Sequence, residues 1–134
     1  MSINLELFTY IEKHKYDKYL WGERDCMLFP SIWIDTYYGE TTSKTIKHQY
    51  YNRRTALVFY KNYLSTDTVL RGANFVEQAD ISSVEDGDIV QTGTLEWPLL
   101  WLMYNNAAYC MSEQGLIFVT YEALSPQVLK VWRR

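Results

Sequence analysis

The apolar residues change their period at Gly87, and that change constrains the fold more than any other feature of the chain. Before it, helical spacing prevails. Leu5, Phe8, Ile11 and the body of Tyr10 or Tyr16 predict an amphipathic helix over residues 3–14, with Lys13, His14 and Lys15 at its C-terminal end. A histidine there is favoured by the helix dipole and needs no catalytic role. Leu28, Phe29, Ile32, Trp33 and Tyr37 predict a second helix over about 25–38, stopped by Gly39. Thr41-Thr42-Ser43 offers caps for a long third helix over about 44–64, with Ile46, Tyr50, Leu57, Val58 and Tyr60 toward a core. A shorter helix over 67–73 follows, capped by Ser65 or Asp67 and ended by Gly72, and 74–86 reads as loop.

From Gly87 onward the segments are short, apolar and separated by turn residues. Asp88-Ile89-Val90-Gln91, Pro98–Tyr104, Ala107–Met111, Leu116–Tyr121 and Val128–Trp132 read as strands. Asn105-Asn106 and Glu113-Gln114-Gly115 supply tight turns between them. Helices first and an antiparallel meander second predict an α+β class rather than alternating βαβ units. The 134 residues suit one domain, 1–134.

The chemistry-bearing residues are few. Cys26 and Cys110 are too few for a disulfide scaffold, and with His14 and His48 they form no zinc spacing. No metal or cofactor is expected. A net charge of −3 gives no general attraction to nucleic acid. Glu6 and Glu12 interrupt any N-terminal apolar run, and no stretch approaches the roughly 18 apolar residues of a membrane span. Neither a signal peptide nor membrane insertion is expected. Twelve tyrosines and five tryptophans fit a partner surface or a tyrosine-rich core edge. Charge is split along the chain. Lys44, Lys47, Arg53, Arg54 and Lys61 lie between Glu40 and Asp67 with no acid among them, whereas residues 72–129 carry acids and no base. Such asymmetry orients a protein in an assembly, or marks a solvated helix face beside an acidic loop.

The stretch Tyr19-Leu20-Trp21-Gly22-Glu23-Arg24-Asp25-Cys26 runs directly into the second helix. Asp25 is a good N-cap, which makes Cys26 the first helical residue. The positive end of a helix dipole can lower a thiol pKa from about 8.5 to roughly 3.5–7.5, which suits a nucleophile. Counted from that cap, Pro30 falls near the end of the first turn, where it removes one backbone bond. Cysteine is also among the most buried residue types, so simple packing is the other reading of Cys26.

Tyr19-x-Trp21-Gly22-x-x-Asp25-Cys26-x-x-Phe29, followed by an aromatic helix ending in Tyr38-Gly39, resembles the cysteine motif of the NlpC-type cell-wall peptidases, compact papain-like enzymes. Gly87-Asp88-Ile89-Val90 resembles the glycine-aspartate strand that follows in them, and 98–111 resembles their next hairpin. A small phage-encoded, tail-associated branch is more similar still, through Tyr50-Tyr51, Gly115-Leu116 and the terminal Trp132-Arg133. The resemblance covers roughly residues 8–134. It implies a papain-like NlpC-type fold, with N-terminal helices packed on a C-terminal antiparallel sheet.

The resemblance also implies that Cys26 is the nucleophile. In the active family a histidine at the start of the hairpin strand takes the thiol proton, and a third polar group orients it. The histidine position maps onto or near Pro98, among Glu96, Trp97, Leu99 and Leu100, and the orienting position falls near Cys110 or Ser112. None of the residues at the histidine position is histidine. His48 on the basic third helix and a buried Glu96 are weaker substitutes, and His48 reads first as an ordinary helix residue. The resemblance therefore implies one of two functions. The first is a structural or adaptor protein of a phage tail or virion, made in the host cytoplasm, with hydrolysis lost or weak. The second is an active cysteine hydrolase cleaving peptidoglycan stem peptides during entry. An acyl transferase of the same fold is compatible with the same cysteine. Expected partners are other tail or virion proteins, and in the active case peptidoglycan.

Overall fold

The computed structural model describes residues 2–94 and 97–134. It contains helices α1 (Ile3–His14), α2 (Leu28–Tyr38), α3 (Arg53–Asn62), α4 (Thr66–Gly72) and α5 (Tyr121–Leu124). Strands β1 (Val76–Glu77), β2 (Ile89–Gly93), β3 (Pro98–Tyr104), β4 (Ala107–Ser112), β5 (Gly115–Thr120) and β6 (Lys130–Arg133) form one sheet in the order β1-β6-β2-β3-β4-β5. Every pairing is antiparallel. The α+β class holds, with α1–α4 preceding the sheet.

α1 has the expected bounds, and of its expected stripe Ile11 and Tyr10 are buried but Leu5 and Phe8 are not. Leu7, Tyr10 and Ile11 face the core, while Leu5 and Phe8 are about half exposed. Tyr10 belongs to the buried side because its hydroxyl donates to the Phe29 carbonyl at 2.5 Å, which satisfies the polar tip inside the core. α2 is the most enclosed helix: Leu28, Phe29, Pro30, Ser31, Trp33 and Ile34 are all buried. Gly39 closes it at φ 72°, and its N–H donates to the Asp35 carbonyl.

The long third helix is not formed. Thr42–Thr45 makes one 3-10 turn, held by Asp35, whose carboxylate accepts from the Thr42 and Ser43 N–H groups and the Ser43 hydroxyl. His48 has φ 64°, which ends any helical path. The chain instead crosses the turn before Cys26, where the His48 N–H donates to the Gly22 carbonyl at 2.9 Å. Ile46 and Tyr50 are buried by that crossing, so packing outweighs helical continuity. α3 restarts later with a capping box between Asn52 and Thr55. α4 is capped by Ser65, as its sequence suggests.

The sheet departs from a simple meander at its last strand. β2 to β5 follow one another, but β6 returns to pair with β2 and β1. The chain reaches it through α5, which the sequence pattern does not announce. Two polar links lock this return. Arg133 donates from Nε and Nη2 to the two carboxylate oxygens of Asp88, at 3.0 and 2.8 Å. Trp132, fully buried, donates from Nε1 to the Gln91 side chain. The glycine-aspartate strand and the terminal Trp-Arg are thus two halves of one structural joint.

Candidate functional site around Cys26

The turn before α2 is built around one buried carboxylate. Asp25 Oδ1 accepts from the Met27 and Leu28 N–H groups at 3.0 and 2.9 Å. Its Oδ2 accepts from the Gly22 N–H at 3.0 Å and from the Tyr50 hydroxyl at 2.6 Å. Tyr50 and Tyr60 hydroxyls lie 2.7 Å apart and extend the chain of bonds. The Asp25 carbonyl accepts from the Phe29 N–H, so Asp25 gathers N–H groups at the helix entrance although the N-cap position falls on Met27, which makes no side-chain cap bond. Regular helix begins at Leu28 rather than at Cys26. Pro30 contributes to this delay, because it has no N–H to return to the Cys26 carbonyl. Burial raises the Asp25 pKa, and the four hydrogen bonds oppose that rise.

Gly22 is required by the same crossing. Its φ is 80°, and a Cβ there would stand 2.2 Å from the Tyr50 carbonyl oxygen. The Trp-Gly-x-x-Asp-Cys stretch is therefore a folding device before it is anything else. Glycine admits the 46–50 segment, aspartate gathers the donors, and the turn sets the cysteine just before α2.

The cysteine itself is buried, with 7 % of its surface exposed. It lies at an aromatic cleft of about 310 Å³ whose walls include Tyr19, Trp21, Trp97 and Trp101. Cys110, Ser112, Glu113 and Gln114 complete the polar part of the lining. The helix start does not lower the thiol pKa. Burial pushes it well above the ordinary value, the nearby Cys110 and Asp25 add to the rise, and the Cys26 and Leu100 N–H groups only partly oppose it. Cys110 is likewise pushed up to about 12, chiefly by burial. Desolvation outweighs the dipole because a thiolate here would face apolar walls and another carboxylate.

Among the described residues, no histidine lines this cleft. Pro98 opens β3 where the resemblance puts the base, and it has no titratable group. Glu96 lies outside the described residues. His48 stands on the far side of the Gly22 turn, mostly exposed, 3.7 Å from Glu23. His14 closes α1 with Nδ1 2.6 Å from Asp17 Oδ2 and packs against Tyr10 and Phe29. That pair sits in a separate groove of about 410 Å³ between α1 and α2, whose lining does not include Cys26. Ser112, at the expected orienting position, does reach the cleft. Its hydroxyl is engaged within its own turn, donating to the Gly115 carbonyl and accepting from the Gln114 N–H.

Tyr19 and Trp21 reach the cleft as members of the motif, whereas Trp101 and Glu113 escape a reading by sequence motif. Register places both, since Trp101 precedes Leu102, which pairs with Tyr109 next to Cys110, and Glu113 sits in the following hairpin turn. No local signal announces such cross-strand neighbours. Among the described residues no group of three or more metal-ligating side chains occurs, and no helix is long and apolar enough to cross a membrane.

Comparison with known families gives one match. A family model described as a domain of unknown function (DUF6950) matches residues 3–133, and the chain belongs to that family. No curated protein matches it.

Proposed function

We propose that this member of the family is an NlpC-like, papain-type domain retained for assembly in a phage tail or virion, with hydrolysis lost or weak. One observation carries the reading. The cysteine that the motif aligns with a nucleophile is buried, its thiol is held protonated by burial, and no histidine lines its cleft among the described residues. A thiol hydrolase needs a thiolate and a base within hydrogen-bond reach, and this arrangement favours neither. The Asp25 carboxylate beside the thiol cannot stand in, because all of its bonds serve the turn.

The resemblance that suggests the virion rests on motif residues whose roles are architectural here: Gly22, Asp25, Asp88, Trp132 and Arg133. A lineage that drops catalysis and keeps a domain for its shape preserves such residues. An active hydrolase cleaving stem peptides is the second reading, and the exposed Glu113 at the same cleft is what favours it.

Two assays separate them. Purified virions analysed by mass spectrometry contain the protein under the adaptor reading; finding it only free in the lysate sinks that reading. Release of soluble fragments from purified cell walls stays at background for wild type and for Cys26→Ala. Release that depends on Cys26 establishes the hydrolase instead.

A further inference from the structure

The Cys26 cleft has an uneven chemistry that points to one kind of occupant. Tyr19 and Trp21 meet edge to face with centroids 4.9 Å apart, and Trp21 and Trp97 follow at 5.9 Å, so the wall is continuous aromatic surface. The only charged residue in the described lining is Glu113, and no lysine, arginine or histidine joins it. Glu113 makes no ion pair among the described residues, whereas the neighbouring Ser112 hydroxyl is already bonded within its turn. The Trp101 indole N–H is also committed, donating to the Thr92 hydroxyl at 2.9 Å. The wall already attracts a cation at its outer end: the Arg53 guanidinium stands 5.4 Å over the Trp97 ring. Burial raises the Tyr19 pKa, with the Asp25 and Glu113 carboxylates among the smaller causes.

We infer that the cleft receives the lysine or arginine side chain of a partner polypeptide, with the alkyl stem along Trp21 and Trp97 and the cationic head toward Glu113. Aromatic faces attract ammonium and guanidinium groups through their quadrupoles, and one free carboxylate supplies the balancing charge. A glycan would also stack on the rings. The one charged group of the described lining is a carboxylate, which favours a cationic head over a neutral sugar. The inference rests on the non-hydrolytic reading of the same cleft, since it treats the bound chain as a partner rather than a substrate.

The test is a titration of the full chain followed through tryptophan indole N–H resonances. The probes are acetyl-lysine methylamide, acetyl-arginine methylamide, the neutral acetyl-norleucine methylamide and chitotriose, with a lysine-containing decapeptide in parallel. The cationic probes shift the Trp21 and Trp97 signals and bind at least about tenfold more tightly than the norleucine probe, a gap of ~1.4 kcal/mol. Glu113→Gln, at an exposed turn position that leaves the fold intact, removes most of that preference. Equal binding of the neutral probe, a response to chitotriose alone, or no response to any probe overturns the inference. Mass spectrometry of the decapeptide afterward isolates the other failure: an intact peptide leaves the non-hydrolytic reading standing whatever the titration shows, and cleavage ends that reading.

Discussion

The Tyr50 hydroxyl donates to Asp25 at 2.6 Å across twenty-five positions of sequence, tying the turn before Cys26 to the segment that crosses it. Asp25 is 1 % exposed, so this bond and the three from backbone N–H groups are its only compensation for burial. Asp25→Asn keeps the acceptor toward Met27 and Leu28 but turns an NH₂ group toward the Gly22 N–H. One buried donor then loses its partner. The expected loss is about 1–3 kcal/mol, read from urea denaturation midpoints.

The same carboxylate sets a pH dependence of unusual sign. Its folded pKa is raised above the ordinary aspartate value, chiefly by burial. The folded state therefore binds this proton more tightly than the unfolded state does. The stabilising contribution is complete below the unfolded pKa and disappears as pH rises through the raised folded value. Wild-type stability minus that of Asp25→Asn, measured by denaturation in steps from pH 3 to pH 7, falls as pH rises across that window. A difference that grows with pH contradicts this account of the site.

Gly22 has no tolerated replacement. With φ at 80° and the Tyr50 carbonyl 2.2 Å from any added Cβ, Gly22→Ala must push the 46–50 segment off the turn. A loss of about 2–3 kcal/mol or more is expected, with the Tyr50–Asp25 bond broken, seen as faster hydrogen exchange of the Met27 and Leu28 amides. Gly39→Ala is the control. Its φ is also positive, but nothing lies within 4 Å of the added Cβ, so its cost stays at the backbone strain of about 1 kcal/mol.

How much of this was legible in the sequence depends on the range of the interaction. α1, α2, α4 and the β2–β5 run follow from local periodicity and turn residues, but the N-cap of α2 falls on Met27 rather than on Asp25. The break between Thr45 and Asn52 does not. Ile46 and Tyr50 are four apart and read as one helical face, yet they are buried by a non-helical crossing that only the Gly22 contact explains. The apolar stripe of α1 is legible in part: Ile11 and Tyr10 are buried, Tyr10 because its hydroxyl finds a carbonyl inside the core, while Leu5 and Phe8 stay half exposed despite their greater hydrophobicity. Cys26 reads as the first residue of α2 but lies in the turn two residues before it, and its thiol environment was not legible either. The dipole argument is local, and the desolvation that overrides it comes from β3 and β4.

The joint at the sheet's return makes its own prediction. Asp88 is 1 % exposed and its carboxylate is held by Arg133 through two hydrogen bonds. Arg133→Ala leaves that buried charge with fewer donors and costs about 2–3 kcal/mol. Arg133→Lys recovers only part, because an ammonium cannot span both oxygens in a planar fork. Thermal unfolding of the two variants beside wild type checks the order.

The central claim concerns the state of one thiol, and alkylation of Cys26 in a Cys110→Ala background measures it directly. The iodoacetamide rate, followed from pH 6 to pH 10.5, is expected to remain far below that of the urea-unfolded chain and to keep rising through pH 9 with no plateau. A plateau below pH 8, with a folded rate matching or exceeding the unfolded one, would show a prepared thiolate and contradict the account.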